Sequence, residues 1–491
     1  MPLILPGNVA TATAATGYDV ANSVRMNDDD TPYFNKTPSA GDRAKWTFSC
    51  WFKLGNIPGA SSTHGILVSG GASADQSTIR IDGQVIDWVE WDQSGSATQG
   101  RLITNRVFRD PTAWYHLVCT WDSDNGTEGS RMKMYINGVR ETSFSTGTYP
   151  TSGYDSAMNS NVLHEIGRQS WNSSQYFDGY FAEMAFCDGQ AYAASDFGEF
   201  DSDSPTIWKP KDISGLTFGS RGWYLDFEDS GDLDDDESGN GNDWTANNLA
   251  AADQCIDSPT NNLCTLNPLH MSDPSSNYFV DNGNNTLEAT NNDVDRQTGM
   301  TIHPQGIKGY FEWNIPTDSN FRVALQADGV GLSKNNYTAL SSGQFYGLDS
   351  SGHLAYANGG SSTTLISGYV TSQSVGDVCG CAFDFTGSNR NVWFHTNGTY
   401  GNNGSGVGVP ATGAYPGLTS TQLSTTKEFE FVFAVNTGGS SSSIALNFGN
   451  GSFDGTAISS AGTNASFGSF EYNVPSGFGP ICTKTLNGTY S

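Results

Sequence analysis

Glu90-Trp91-Asp92 sets two carboxyl groups two residues apart, and in a strand that spacing puts both on one face. Such a pair is the minimum for glycosidic hydrolysis, in which one acid protonates the leaving oxygen and the other attacks the sugar or activates water. Gln93-Ser94 follow where further carboxylates would be needed. Exposed acids at the end of a Trp-rich strand are therefore the preferred reading, and no catalysis is expected. His64, His116, His164, His270, His303, His353 and His395 stand in no Gly-x-Ser-x-Gly context, the setting of a nucleophile on a strand-to-helix turn. His116 and His395 fall inside predicted strands and read as structural. No phosphate-binding or dinucleotide fingerprint is present, and the many glycines are explained by tight turns.

Two acidic clusters offer hard oxygen ligands of the kind that suit Ca²⁺. One is Asp28-Asp29-Asp30; the other runs from Asp232 and Asp234 through Asp236 to Asp243, punctuated by Gly. The second lacks the ordered spacing and terminal Glu of an EF-hand. For both, solvated surface acids remain the plainer alternative. Trp171, followed by Asn172 in Arg168-Gln169-Ser170-Trp171-Asn172-Ser173-Ser174, is a large ring in a polar loop. There it could stack on a sugar while amides hydrogen-bond to the hydroxyls. Tyr337 and Tyr400 are similar in kind, and for all three a ring tucked onto the protein as a lid is the competing reading.

The chain that must position these groups has 491 residues, enough for two or three domains. Twelve Trp, 20 Tyr and 27 Phe exclude bulk disorder. Lys and Arg number 23 against 51 Asp and Glu, a net charge of −28, which repels phosphate backbones and anionic lipid and makes nucleic acid a poor partner. The N-terminal Met1-Pro2-Leu3-Ile4-Leu5-Pro6 has no basic residue before its short apolar run, so it does not read as a secretory signal. No segment approaches the roughly 20 apolar residues of a membrane-spanning helix, and membrane insertion is not expected. The eight cysteines match no zinc spacing. Cys50, Cys119 and Cys379 sit in apolar runs as small buried hydrophobes; Cys255 and Cys264, in a polar stretch, could form a local disulfide or remain free.

Short runs with strand composition, bounded by Gly, Asn, Asp, Ser or Pro, fill residues 46–186: Trp46 to Lys53, Ile66 to Ser69, Ser77 to Asp92, Arg101 to Phe108, Trp114 to Trp121, Arg131 to Val139, Val162 to Gly167 and Tyr176 to Phe186. With no helical periodicity between them they predict an antiparallel sandwich. Alternation puts Trp46, Phe48, Cys50 and Phe52 on one face of a half-buried strand, and Asn137-Gly138 predicts a type I′ hairpin turn. From Trp223 to Asn267 the chain turns polar and acidic, yet Tyr224, Leu225, Phe227 and Trp244 are too apolar to be left wet, so this connecting segment is expected to be ordered against a neighbour. Strand-like runs resume near Asn277, at Gly309 to Ile315, Phe321 to Ala327, Phe345 to Asp349, Gly376 to Phe385, Asn391 to Thr396, Glu428 to Asn436 and Ile444 to Phe448.

Ser23 to Asp30, Trp46 to Lys53, Trp114 to Val118, Lys133 to Gly138 and Tyr176 to Glu183 resemble the successive strands of a laminin-G-like, concanavalin A-like jelly roll. Asp188-Gly189-Gln190-Ala191, Phe197-Gly198-Glu199-Phe200 and Trp208-Lys209-Pro210 extend the resemblance to virion proteins of tailed, especially marine, bacteriophages. Gly376 to Asp384, Val392 to Gly398, Tyr415-Pro416-Gly417 and Leu446 to Gly449 are similar to a SPRY domain, with Gly309-Tyr310-Phe311-Glu312 as its opening strand. Trp223 to Trp244 resembles the opening hairpin of another jelly roll.

These resemblances imply an all-β chain of two antiparallel sandwiches: a jelly roll over 1–210, an acidic connecting segment over 211–276 and a SPRY domain over 277–491. In the jelly roll the first and last strands are neighbours, which would let Asp178 converge with Asp28, Asp29 and Asp30 on Ca²⁺. SPRY domains bind partners through surface loops and are not known as enzymes. The implied role is a non-catalytic virion surface protein, in a tail fibre or on the capsid exterior. Its partners would be other virion proteins or host-surface glycan, and it would act as a homo-oligomer, with a trimer expected. A glycoside hydrolase on the concanavalin A-like fold and a purely structural capsid decoration protein are the alternatives.

Overall fold

Period-two alternation of aromatic and β-branched residues, broken every few positions by turn formers, dictates strands, and the computed structural model consists of little else. It describes residues 17–490 except 58, 60–61, 170–171, 273–277, 291–295, 318–320, 333–343, 436–440 and 464–467. Trp171 and Tyr337 lie outside the described residues. The described chain divides into two compact units, residues 17–260 and 261–490.

In the first unit two sheets face each other. One runs Val139–Arg140, Met132–Ile136, Tyr115–Asp122, Lys45–Leu54, Gly179–Asp188, Ser23–Met26 and Gln254–Cys255, with Trp223–Leu225 also pairing with Gly179–Asp188. The other runs Phe144–Thr148, Ala97–Thr104, Val85–Asp92, Gln76–Asp82, Thr63–Ser69, His164–Ile166, Tyr33–Lys36 and Thr245–Asn247. Between them lies a core in which Trp46 stacks on Trp121 at 6.1 Å and meets Trp88 at 5.6 Å. Asn137 and Gly138 take φ of 48° and 77°, the left-handed values a type I′ turn requires.

Two expectations change here. The acidic stretch placed between the domains supplies three strands to the first sandwich, closing its edges at Ser23–Met26 and Tyr33–Lys36 and adding Trp223–Leu225 beside Gly179–Asp188. Its Trp223, Leu225, Phe227, Leu233 and Trp244 join the inter-sheet core, which is where the apolar groups too large for a linker go. The same stretch also covers the outer face of the Lys45–Leu54 strand, which is buried on both sides and not half-buried. On that outer face Trp51 stacks on His116 at 4.7 Å, and Lys53 pairs with Asp257 at 2.7 Å, both side chains essentially inaccessible.

The second unit is again two sheets, of seven strands each. One runs Leu266–Met271, Arg296–Met300, Phe429–Val435, Phe321–Ala327, Phe345–Asp349, Leu354–Ala357 and Ser362–Ile366; the other runs Tyr278–Asp281, Thr286–Ala289, Ser442–Asn447, Lys308–Asn314, Val378–Asp384, Asn391–Thr396 and Thr399–Tyr400. Phe311, Trp313, Phe383, Phe431, Phe433 and Phe448 fill the space between them. This unit begins at residue 261, so Leu266–Met271, assigned to the connecting segment from sequence, is one of its edge strands. A short helix, Thr483–Tyr490, ends it.

All eight cysteines are buried and none is in a disulfide. The disulfide considered between Cys255 and Cys264 does not form: Cys255 packs with Val20, Trp51 and Trp114 in the first unit, and Cys264 lies in the core of the second. No helix among the described residues is long and apolar enough to cross a membrane.

Candidate functional site

The carboxylates singled out for hydrolysis lie in different surroundings. Glu90 is fully buried and accepts hydrogen bonds from Ser77 Oγ, Ser156 Oγ and the Ala157 N–H. Burial pushes its carboxyl up to about 7. Asp92 lies beyond a register shift between Glu90 and Trp91 and is spent on its own turn, bonded to Ser94 Oγ and the Gly95 N–H.

The acidic clusters are organised in the same inward way. Asp28, Asp29 and Asp30 form a single 3-10 turn after Ser23–Met26, where Asp30 accepts from the Asn27 amide; burial, then Asp29, raises the Asp28 carboxyl above its usual range. Met26 pairs with Gly179 as the jelly-roll resemblance implied, and Asp178 beside it is buried. In the second cluster Asp234 accepts from the Ala246 N–H, Asp243 from the Asp236 N–H, and Asp236 from the Tyr224, Ser238 and Asn242 N–H groups. Asp232 remains exposed, raised by its hydrogen bond to Asp234. These carboxylates act as loop staples, satisfying backbone donors that a strand ladder would otherwise satisfy. Among the described residues neither cluster gathers three ligand atoms within 4.8 Å; that proximity is met by His303, Asp328 and Glu428 in the second unit.

Asn172 opens the Asn172–Tyr176 strand. Tyr400 ends a two-residue strand and turns inward, packing edge-on against His395 at 5.1 Å. Its hydroxyl is buried with no hydrogen-bond partner, and burial raises the phenol well above its usual range. It is the tucked ring, not the exposed one.

A half-buried ring that the second unit sets at a cleft is Tyr472. A cleft of about 490 Å³ runs between the end of the Lys308–Asn314 strand and the 453–459 and 471–472 segments, with Asn314, Asn397, Asp454, Ser459, Glu471 and Tyr472 in its walls. Beneath it lies a buried chain. Glu312 Oε2 accepts the Glu471 N–H at 2.8 Å and Oε1 the Tyr472 N–H at 2.9 Å. Tyr310 donates to Glu312 Oε1 at 2.8 Å and its hydroxyl lies 2.7 Å from His395 Nε2. His395 Nδ1 accepts the Gly398 N–H at 3.2 Å, and its ring meets Tyr472 at 5.4 Å. Gly398 has φ of 76°, and a side chain there would strike the Tyr472 ring. Burial raises Glu312 to about 7 and lowers His395 to about 3. The wall ring is thus fixed by interior groups, which is how a binding surface is made without loss of order on binding. An aromatic among amides, hydroxyls and carboxylates suits a polyhydroxylated ligand. A second open depression of about 500 Å³ in the first unit, with Arg43, Asp75, Gln93, Ser94 and Ser160 among its walls, has no aromatic. Sequence reasoning passed over Tyr472 and Glu471 because nothing local distinguishes them; the buried Glu312 inside an apolar strand was the available signal.

Residues 28–194 match a family model described as the concanavalin A-like lectin/glucanases superfamily. Among solved structures, the native heptameric SAP-like pentraxin from Limulus polyphemus is similar at 12% identity, with 36% of this chain and 80% of the pentraxin covered and a TM-score of 0.27. The SPRY domain of human HERC1 is similar at 14% identity, with 37% of this chain and 96% of that domain covered and a TM-score of 0.26. None of the curated proteins compared matches the chain.

Proposed function

We propose that the chain is a non-catalytic binding protein whose second unit takes a glycan in the Tyr472 cleft. The observation that carries this reading is the Tyr472 ring itself, set at a polar cleft and held from below by Glu312. The sealed position of Glu90 supports a role without catalysis. The setting proposed is the exterior of a tailed bacteriophage particle, in a fibre or as a decoration, with host-surface glycan or other virion proteins as partners. That placement rests on the resemblance of the strand and loop motifs given above, and a net charge of −28 suits an exposed, soluble surface. A shallow cleft gives modest affinity per site, and repeated copies on one particle convert later contacts into intramolecular ones.

A glycan array and a host-cell adsorption assay with multimeric protein test the reading. Tyr472→Ala is expected to weaken binding about tenfold, the order of one lost aromatic contact, with little loss of stability because the ring is half-buried. Loss on Trp171→Ala or Tyr337→Ala, with Tyr472→Ala silent, would move the site. No glycan or cell binding together with tight incorporation into a capsid lattice would favour structural decoration. Release of reducing sugar, abolished by Glu90→Gln, would favour hydrolysis.

A further inference from the structure

The walls of the Tyr472 cleft carry charge of one sign. Among the described residues that line it, the charged side chains are Asp454 and Glu471, and none is Lys, Arg or His. The sequence makes this a property of the whole segment, since the run from Phe453 to Tyr472 contains no basic residue. Asp454 and Gly455 turn the hairpin between Ser452–Phe453 and Thr456–Ala457 with φ of 48° and 72°, which leaves the Asp454 side chain exposed at the rim. It accepts from Thr286 Oγ1 at 3.0 Å. No cation among the described residues forms an ion pair with it or with Glu471. The basic ring that touches Tyr472, His395, is fully buried and lowered to about 3, so it stays neutral.

The donors of the walls are already spent on carboxylates. The Asn397 amide donates to Asp377 Oδ1 at 2.7 Å, and the Ser459 hydroxyl donates to Glu471, which also accepts the Ser459 N–H at 2.7 Å. What the cleft offers a ligand is therefore an aromatic face and acceptor oxygens, because a carboxylate accepts at several lone pairs and donates at none. A sugar hydroxyl or amide N–H finds a partner there. A ligand carboxylate or sulfate finds neither a donor nor a counter-cation, and like charges brought together at a binding surface are costly. Stacking cannot make this distinction, since the ring faces of a hexose and of its uronic acid are alike.

We propose that the Tyr472 cleft selects uncharged glycans and rejects acidic ones: it takes hexose or N-acetylhexosamine units whose hydroxyl and amide groups donate to Asp454 and Glu471, and excludes uronic-acid and sulfated units. This rests on the glycan reading of the cleft given above and adds the class of sugar.

Binding of the full chain to paired oligosaccharides tests it, using oligomers of glucose, galactose, mannose and N-acetylglucosamine, each beside its 6-carboxylated or 6-sulfated form. The uncharged member of a bound pair is expected to bind about tenfold or more tightly at low ionic strength, and the gap should narrow as salt screens the exposed charges. Asp454→Lys, on an exposed turn, should bring the acidic member level with the uncharged one or above it, and Asp454→Asn should stand between. An acidic member bound as tightly as its uncharged partner by the unaltered chain, or a ratio untouched by Asp454→Lys, overturns the selectivity and leaves the glycan reading standing. No binding of any member, or binding undiminished by Tyr472→Ala, overturns both.

Discussion

A fragment ending at residue 210 will fail to fold, and one ending at residue 260 will melt cooperatively as a β-rich unit. The shorter fragment loses Ile213, Phe218, Trp223, Tyr224, Leu225, Phe227, Leu233 and Trp244, all buried. At roughly 1.5–3 kcal/mol for each large apolar side chain removed from water, their sum matches or exceeds the about 5–15 kcal/mol by which a whole domain is stable. It also strips Lys53 of its buried partner Asp257, which in turn accepts from Trp114 Nε1 at 3.0 Å. Breaking a buried pair by removing one member costs about 3–5 kcal/mol, because the other charge stays buried without compensation. In the full chain, Asp257→Ala alone should therefore lower the melting temperature of the first unit by on the order of 10 °C and leave that of the second unchanged. Differential scanning calorimetry and dye binding on both fragments decide the matter; a soluble, cooperatively melting fragment ending at residue 210 would refute it.

Stability should peak near pH 6 and fall on both sides. Burial raises the Glu90 and Glu312 carboxyls to about 7 and that of Glu183 to about 8. Each folded value lies above the unfolded one, so the folded state holds these protons more tightly, and their contribution is lost as pH rises from about 4.5 through 7 or 8. Burial lowers His64 and His164 to about 4 and His116 and His395 to about 3. These rings fold neutral, so stability falls as pH drops from about 6.5 toward 3 or 4 and the unfolded chain takes up their protons. The two slopes have opposite sign and cross near pH 6. A net charge of −28 at pH 7 adds repulsion on the alkaline side. Melting temperatures from pH 4 to 9 test this, and Glu312→Gln should flatten the alkaline limb of the second unit. A maximum at pH 8 or above would show that these carboxyls are not held in the protonated form.

The all-β class and most strand positions were legible in the sequence because they depend on neighbours in the chain. Phe321 to Ala327 and Asn391 to Thr396 are strands with the bounds read from composition, and Asn137-Gly138 turns as its backbone preferences require. Alternation and turn chemistry act over two to four residues, and one sequence contains them. What only the tertiary structure decided is which distant residues meet. Glu312 holds Tyr472 from 160 positions away, Asp257 neutralises Lys53 from 204 away, and Asp328 faces Glu428 because of the register between two strands about a hundred residues apart. The same dependence separated acids that look alike in sequence: Asp234 and Asp236 close their own loops, while Asp328 and Glu430 meet His303 and His270 at the wall of a cavity. A carboxylate's fate is set by whether backbone donors or other carboxylates surround it after folding, and strand register, not local composition, makes that choice.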